Sequence, residues 1–321
     1  MIPLIGMVQY TYDPLSRLTQ LRTDIMRTEA TYDAASQLLD LRHTNVSAGT
    51  TPAFATYAYD PLGNRTSLTD PLGLHTFTYD ALNRLTGADH PVGSSLPEET
   101  FTYDPVGNRL TSHRSAAHRY DGANRLLEDD QVTYAYDANG NLTTKTDKAT
   151  AATTTYTYDV ENQLIQIDLP DGRLASYRYD GLGRRLEKAV RGTVTRYVSD
   201  HEDLLFTVDG ANALQAGFLH GPGIDAPLLL LPDADRDGTL AHGEPTRRLL
   251  ADGLGSVTAV VDDRSGTLLE RSLYESFGTL TLRAPDGTVL PQSAVGNPYG
   301  FTGREVDAEL GIRSWGFLIT G

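Results

Sequence analysis

The densest group of residues that could do chemistry is an acidic stretch at residues 233–244, DADRDGTLAHGE, here called the acidic loop. Its acids fall on alternate residues, a glycine follows at the sixth position, and a glutamate ends it at the twelfth. Alternating oxygen donors, a glycine for the sharp turn and a closing glutamate are the pattern of a calcium-binding loop. The sequence therefore predicts a Ca²⁺ site formed by Asp233, Asp235, Asp237, the backbone carbonyl of Thr239, and Glu244.

The flanks of the acidic loop indicate what kind of element holds it. PLLLLP precedes it and PTRRLL follows it, and neither segment has the spacing of an amphipathic helix. A helix–loop–helix calcium sensor is therefore not expected, whereas a loop inserted between two strands is. The alternative is an acidic, solvated hairpin tip without any ion, because Asp and Gly are common turn residues. Both interpretations remain open from the sequence.

No other motif in the sequence predicts a catalytic or cofactor site. The eight histidines are scattered, and no HExxH, GxSxG or Gly-Lys-Ser motif occurs. The chain has no cysteine, which excludes disulfides and thiolate metal sites. Two carboxylates could form a glycosidase-like pair by chance, but each acid is better explained as a turn residue or a solvated one. We therefore expect a protein that is not an enzyme.

Charge and hydropathy exclude further classes. The 42 acidic and 27 basic residues give a formal net charge of −15, which argues against nucleic acid as the main partner. No apolar run approaches the ~18–20 residues of a membrane-spanning helix. The first residues, MIPLIGMVQYTYD, lack the basic start and the long apolar stretch of a secretory signal.

A short sequence motif, here called the Tyr-Asp phrase, recurs along residues 10–190. It predicts the strands and turns that must position these residues. A Tyr-Asp pair occurs nine times at intervals of about 21 residues, which indicates one supersecondary unit per copy. An aromatic residue usually precedes the tyrosine by two positions, so both rings would lie on one face of a strand. The nine tyrosines are Tyr12, Tyr32, Tyr59, Tyr79, Tyr103, Tyr120, Tyr136, Tyr158 and Tyr179.

A turn and a second strand complete each unit. In YDPLGNR the aspartate can bond backbone amides, the proline presets its own φ, and the glycine closes the turn. The next strand begins near Arg-Leu, as at Arg84 and Arg109. Nine such hairpins would form one long antiparallel sheet, and a sheet of ~18 strands must curl, close or split. We expect the repeating Arg and Asn side chains to bond the buried tyrosine hydroxyls, so that all four residue types are structural.

The strict repeat ends near residue 190, which predicts two regions: a hairpin array at 1–190 and a second β region at 191–321 that contains the acidic loop. Strand-like runs lie at 194–198, 204–208, 214–219, 257–261 and 268–274. Turn signals separate them and no long helical period occurs, so the whole chain is predicted to be all-β.

These phrases resemble those of the Rhs/YD-repeat family, which includes bacterial polymorphic toxins and cell-surface proteins. The Tyr-Asp phrases carry the resemblance over about residues 10–190. DGLGSV at 252–257, YESFG at 274–278 and NPYGFTG at 297–303 resemble the family's associated core. The resemblance implies a spiralled antiparallel β-sheet of hairpins that forms a hollow shell, here a partial one, around a C-terminal toxin domain.

The end of the chain departs from that pattern. Residues 312–321, IRSWGFLITG, contain no aspartate, whereas toxin members of the family continue into an aspartate-dependent self-cleavage site and a toxin. We therefore expect a C-terminally truncated chain and assign no catalytic residue, which disfavours a self-processing protease. The leading hypothesis is a non-catalytic shell fragment that encapsulates or presents a C-terminal toxin domain or other cargo. The alternative is a secreted or cell-surface YD-repeat protein that binds carbohydrate or other cells.

Overall fold

The computed structural model describes residues 8–223, 225–240 and 244–307. Within these ranges the regular structure consists of twenty-seven β-strands and one short 3₁₀ turn, Phe301–Gly303. No helix in the described part of the chain is long and apolar enough to cross a membrane. The all-β prediction is thus confirmed.

The first ten strands form one sheet in which each strand pairs antiparallel with the next along the chain. Two strands and the turn between them make one hairpin, as the Tyr-Asp phrase predicts. The strands are β1 Gln9–Tyr12, β2 Leu18–Arg22, β3 Met26–Tyr32, β4 Leu38–Asn45, β5 Ala53–Tyr59, β6 Arg65–Asp70, β7 Gly73–Tyr79, β8 Leu85–Asp89, β9 Glu99–Tyr103 and β10 Arg109–Ser112.

The other seventeen strands form a second antiparallel sheet, again in chain order. They are β11 Arg119–Tyr120, β12 Leu126–Glu128, β13 Val132–Tyr136, β14 Leu142–Asp147, β15 Thr153–Tyr158, β16 Leu164–Asp168, β17 Leu174–Tyr179, β18 Arg185–Val190, β19 Thr193–Asp200, β20 Asp203–Asp209, β21 Leu214–His220, β22 Pro227–Pro232, β23 Arg247–Ala251, β24 Val257–Asp262, β25 Leu268–Tyr274, β26 Leu280–Arg283 and β27 Val289–Leu290.

The hairpins divide into two sheets, which is one of the outcomes expected for so many consecutive strands. The chain leaves the ladder between β10 and β11, where Ser112 and Ser115 exchange both backbone hydrogen bonds in a tight turn. Beyond this isolated bridge the His118 amide still donates to the carbonyl of Leu110 in β10 (2.9 Å), but no regular ladder forms in this described stretch and β11 keeps two residues. The sheet therefore splits at residues 113–118, where the sequence shows an ordinary spacing between repeats.

A repeated irregularity helps to explain why the sheets curl. In most hairpins the strand register shifts immediately before the tyrosine, for example between Ala58 and Tyr59 and between Arg178 and Tyr179. An extra residue on one strand of an antiparallel pair bends the strand and increases its right-handed twist. Because the shift recurs hairpin after hairpin, the bend accumulates along each sheet. The predicted fold, a curled antiparallel sheet forming a partial shell, is confirmed.

The second sheet packs against the first near its C-terminal end. Met26 and Ala53 of the first sheet share a buried cluster with Leu250, Ala259 and Val261 of the second. Two further clusters lie within the second sheet, one around Tyr156, Ile167 and Tyr177 and one around Phe218, Leu230, Leu249, Val260 and Tyr299. The apolar part of the contact between the sheets is therefore made by β23 and β24 against β3 and β5.

The strands predicted after residue 190 lie within β19, β20, β21, β24 and β25, while β22, β23, β26 and β27 were not predicted. Strand pairing continues across residue 190, since β18 pairs with β19. The boundary between regions 1–190 and 191–321 marks a change in sequence pattern and stays a prediction. The tail at 312–321, on which the expected truncation rests, lies outside the described residues.

Candidate functional site: the hairpin wall and the acidic loop

We call strands β1–β18 and their turns, residues 9–190, the hairpin wall. Most of its turn aspartates are bound in the same way, as Asp80 illustrates; at Asp33 and Asp159 a glutamine stands at the fourth position and its backbone amide donates to Oδ1. Asp80 Oδ1 accepts hydrogen bonds from the amides of Leu82 (2.9 Å) and Arg84 (3.0 Å), and its Oδ2 accepts one from Arg84 Nε (2.7 Å). The backbone hydrogen bond from Arg84 is the largest cause of the lowered pKa of Asp80. The same pattern recurs, with Arg or Asn at the fourth position, at Asp13, Asp60, Asp104, Asp121, Asp137 and Asp180.

Neighbouring hairpins are joined at the turn by the same side chains. Arg84 Nη1 donates to the carbonyl of Asp104 in the next hairpin (2.7 Å), and its guanidinium carbon lies 4.8 Å from the centroid of the Tyr103 ring. The hydroxyl of Tyr103 donates back to the carbonyl of Leu85 (2.7 Å). A guanidinium over an aromatic face adds a cation–π contact to these bonds. The geometry of one turn therefore fixes the position of the next.

The tyrosine hydroxyls have different partners from those that the sequence predicted. We expected Arg and Asn side chains to bond these hydroxyls, and that expectation was wrong. The hydroxyls named below donate instead to main-chain carbonyls of the preceding hairpin. Arginine stacks on the ring instead, and asparagine bonds the turn aspartate. The bonds to carbonyls are Tyr32 to Leu18, Tyr59 to Leu38, Tyr79 to Arg65, Tyr136 to Leu126 and Tyr179 to Leu164. Burial raises the pKa of Tyr32, Tyr79, Tyr136 and Tyr179, so these phenols remain protonated donors at neutral pH.

The acidic loop connects two strands that pair with each other. Leu229 and Leu230 of β22 lie opposite Arg248 and Arg247 of β23, and Asp233 follows β22 directly. The loop therefore lies between strands, as its flanks predict, and not between helices. The amide of Asp233 also donates to the carbonyl of Gln215 (2.9 Å), which ties the start of the loop to the start of β21.

The structure brings three of the predicted ligands together. One carboxylate oxygen each of Asp233, Asp235 and Asp237 lies within 4.8 Å of the other two. The Gly238 amide donates to Asp233 Oδ2 (3.0 Å), and the Thr239 amide donates to Asp237 Oδ1 (2.8 Å). These bonds curl the backbone around the carboxylates.

Glu244 is placed at the loop but outside this group of three oxygens. Its Oε1 accepts a hydrogen bond from the amide of Ala234 (2.7 Å), next to Asp233. The predicted ligand at Thr239 is its carbonyl, and its amide and hydroxyl are both bonded to Asp237. Residues 241–243 lie outside the described ranges. Calcium binding stays a prediction.

A chain of buried polar side chains, which the sequence did not reveal, connects the first sheet to the second. His75 Nδ1 lies 2.8 Å from His90 Nδ1, and His90 Nε2 lies 3.0 Å from Glu99 Oε1. The amide and hydroxyl of Ser276 both donate to the same oxygen of Glu99. Burial would raise the pKa of Glu99, but the hydrogen bonds from His90 and Ser276 outweigh it, so the pKa is lowered.

A second polar group extends this contact between the sheets. Glu275 accepts from His113 Nε2 (3.1 Å) and from Arg114 Nε (3.0 Å), and it pairs with Arg114 Nη2 as well. Ligand atoms of Glu99, His113 and Glu275 lie within 4.8 Å of one another. Both glutamates are already bonded, however, so the group explains the packing of the sheets without an ion. Glu275 lies more than 160 residues from His113 and Arg114 in the chain, so no local sequence motif predicts these contacts.

The segment 297–307 is attached to the hairpin wall by a buried ion cluster. Arg185 of β18 pairs with Asp307 (2.9 Å) and with Glu305, and Lys188 pairs with Asp307 (2.8 Å). Burial opposes ionisation of Asp307, but the charges of Arg185 and Lys188 prevail and lower its pKa. The core-like phrase NPYGFTG is thereby held against the repeat region.

Comparison with known proteins agrees with this architecture. A family model described as Teneurin YD-shell matches residues 74–200, and one described as RHS Repeat matches residues 32–75. The tRNA3(Ser)-specific nuclease WapA of Bacillus spizizenii is 27% identical over 225 residues, which cover 66% of this chain and 9% of that protein. Double-stranded DNA deaminase toxin A of Burkholderia cenocepacia is 36% identical over 93 residues, 28% of this chain and 6% of that protein. The chain thus spans less than a tenth of the length of either relative.

Solved structures share the fold over nearly the whole chain. A Tc holotoxin pore of Photorhabdus luminescens matches with a TM-score of 0.69 at 16% identity, covering 95% of this chain and 17% of that one. The crystal structure of TcdB2–TccC3 matches with a TM-score of 0.58 at 15% identity, with the same coverage. At such identities the likeness concerns the fold alone. Together with the repeated Tyr-Asp turns and the two family matches, it leads to one conclusion: this chain is an Rhs/YD-repeat protein.

Proposed function

We propose that this chain is a non-catalytic part of the wall of a shell that encloses a toxin domain or another cargo carried by a longer protein. The observation that carries the proposal is the bonding between neighbouring turns. In most repeats the Asp, the Arg or Asn, and the Tyr are bonded to their own turn or to the neighbouring hairpin, as at Asp80, Arg84 and Tyr103. Such a unit extends a surface and leaves few of its polar groups available for chemistry.

The relatives support a toxin context without supplying an activity. WapA is named as a tRNA nuclease and the Burkholderia protein as a DNA deaminase toxin. Their matches to this chain cover only 9% and 6% of their lengths. Neither named activity is therefore assigned to this chain. A secreted or cell-surface location is part of the proposal, because toxin shells act outside the producing cell.

The physical properties of the wall favour enclosure over recognition by the repeats. The net charge of −15 disfavours binding of nucleic acid. The alternative function, binding of carbohydrate or other cells, would need aromatic rings that are free to stack on sugars. In the hairpin wall most paired aromatics are at least half-buried, and arginines cover several of them. The repeats thus give more support to a wall than to a glycan-binding surface.

Limited proteolysis of the gene product expressed from its natural locus tests the proposal. We expect a segment outside the wall to resist protease, with its identity read by mass spectrometry. Gly266 faces Asn45 across the contact between the sheets, so Gly266→Arg should open the wall and expose the segment. Gly172→Arg is the matched control, because Gly172 has a similar positive φ and no neighbour within 4 Å.

Two results would overturn the proposal. One is the absence of any protease-resistant segment besides the wall itself. The other is protection that persists in the Gly266→Arg protein although the wall is cleaved faster. A glycan array distinguishes the alternative function, since specific glycan binding by the intact chain would favour adhesion over enclosure.

A further inference from the structure

The acidic loop contains two buried carboxylate oxygens without a protein partner. Asp233 is 6% exposed; its Oδ2 accepts from the Gly238 amide, while its Oδ1 has no hydrogen-bond partner among the described residues. Glu244 Oε2 is likewise buried and unpartnered within those residues. A buried carboxylate oxygen without a donor is costly, and such atoms are rare in folded proteins. Two of them at one loop require a counterpart, and a cation would satisfy both.

The charges around the loop strengthen this requirement. Asp233, Asp235, Asp237 and Glu244 bring four carboxylates to one turn, and none of them forms an ion pair with a basic side chain in the described ranges. The nearby Arg264 donates to the backbone carbonyl of Glu244 (2.7 Å), not to its carboxylate. Mutual repulsion of four unpaired carboxylates destabilises the loop unless positive charge is bound.

We propose that the acidic loop binds one Ca²⁺ through the carboxylates of Asp233, Asp235 and Asp237, the carbonyl of Thr239 and the carboxylate of Glu244. The three aspartate oxygens lie within 4.8 Å of one another, close enough to share one ion. Ca²⁺ accepts many protein oxygens in flexible geometry, whereas Mg²⁺ demands near-octahedral geometry and usually keeps several waters, so a site of five protein ligands favours Ca²⁺. Binding completes the site when Glu244 moves its free oxygen onto the ion.

The position of the loop gives the ion a structural role. β22 and β23, which it joins, contribute Leu230 and Leu249 to one buried cluster and Leu250 to the cluster shared by both sheets. An ion that fixes the ends of this hairpin therefore stabilises the contact between the sheets. The inference stands apart from the proposed shell function, because a wall could enclose cargo with or without the ion.

Equilibrium dialysis with CaCl₂, together with thermal melts of the intact chain, tests the site. We expect one Ca²⁺ per chain, with a Kd in the range of about 10⁻⁴–10⁻³ M that is typical of extracellular modules. At ten times the Kd, the Tm should rise by about 2 °C. MgCl₂ at the same concentration should raise it much less.

Matched variants separate the site from general charge effects. Asp237→Ala combined with Glu244→Gln should abolish binding and the rise in Tm. Asp24→Ala combined with Glu161→Gln changes exposed acids far along the chain from the loop and should leave both unchanged. The proposal is overturned by the absence of bound Ca²⁺ at 10 mM (about ten times the weakest expected Kd), by unchanged binding in the Asp237/Glu244 protein, or by an equal rise in Tm with Mg²⁺.

Discussion

Acid should weaken the contact between the two sheets by charging His43. This side chain is 6% exposed and lies in β4 against the second sheet. Its Nε2 lies 2.9 Å from the carbonyl of Ala251, and its Nδ1 lies 2.8 Å from the hydroxyl of Thr28. A neutral ring with its proton on Nε2 satisfies both contacts, since the threonine hydroxyl can donate to Nδ1. A second proton on Nδ1 would remove that acceptor and bury a charge.

The size of the effect follows from the shift in pKa. Burial lowers the pKa of His43 from 6.5 to about 4 in the folded protein. The stability contributed by the neutral ring is fully present above pH 6.5 and is lost as the pH falls towards 4, because the unfolded chain binds the proton first. Linkage with these two values predicts a loss of about 2 kcal/mol at pH 4.5 and about 3 kcal/mol below pH 4.

Denaturant unfolding at pH 7.0 and pH 4.5 measures this loss. The turn aspartates also titrate in acid, so the test is the difference between the original protein and His43→Gln, which cannot be charged but keeps a donor for Ala251. The pH-dependent loss should be about 2 kcal/mol smaller in His43→Gln. His201→Gln, at a side chain that is 91% exposed, should behave like the original protein. Equal pH dependence in all three proteins would refute the reasoning.

Three further substitutions test other contacts by their change in the free energy of unfolding. Tyr57→Phe should cost about 1 kcal/mol, because a loop amide of the second sheet donates to its hydroxyl (2.7 Å). Gly266→Ala should cost more than about 2 kcal/mol, because its φ of +68° disfavours a side chain and a Cβ would collide with Asn45. Arg185→Leu should cost about 3–5 kcal/mol, because it leaves the carboxylates of segment 297–307 without their main buried cation.

Each of these substitutions has a control in the same chain. Tyr12→Phe removes a hydroxyl from a side chain that is 50% exposed and should have no measurable effect. Gly172→Ala has the same backbone strain in open space and should cost only about 1 kcal/mol. Arg119→Leu breaks a surface ion pair and should cost at most about 1 kcal/mol. A variant that costs no more than its control would show that the proposed contact is not stabilising.

The sequence alone determined the repeating unit, because everything in that unit is local. Because side chains alternate between the two faces of a strand, aromatic residues two positions apart lie on the same face regardless of their surroundings. The turn aspartate finds its donors two and four residues along, as Asp80 does with Leu82 and Arg84. The acidic loop is equally local, because three aspartates at alternate positions of one turn lie close together whatever the rest of the chain does. The all-β class followed from the same short-range signals.

Only the tertiary structure decided how the units meet. The tyrosine hydroxyls bond main-chain carbonyls because the register between neighbouring hairpins brings those atoms together. The spacing of side chains in the sequence does not specify this register. The split of the sheet at residues 113–118 depends on how backbone bonds are shared at one turn. His43 and Ala251 are 208 residues apart, and their pairing exists only because the curled sheets return to the same place. Contacts at such separations are selected by the packing of the whole chain, so sequence periodicity predicts the repeating hairpin but not the contacts that join the two sheets.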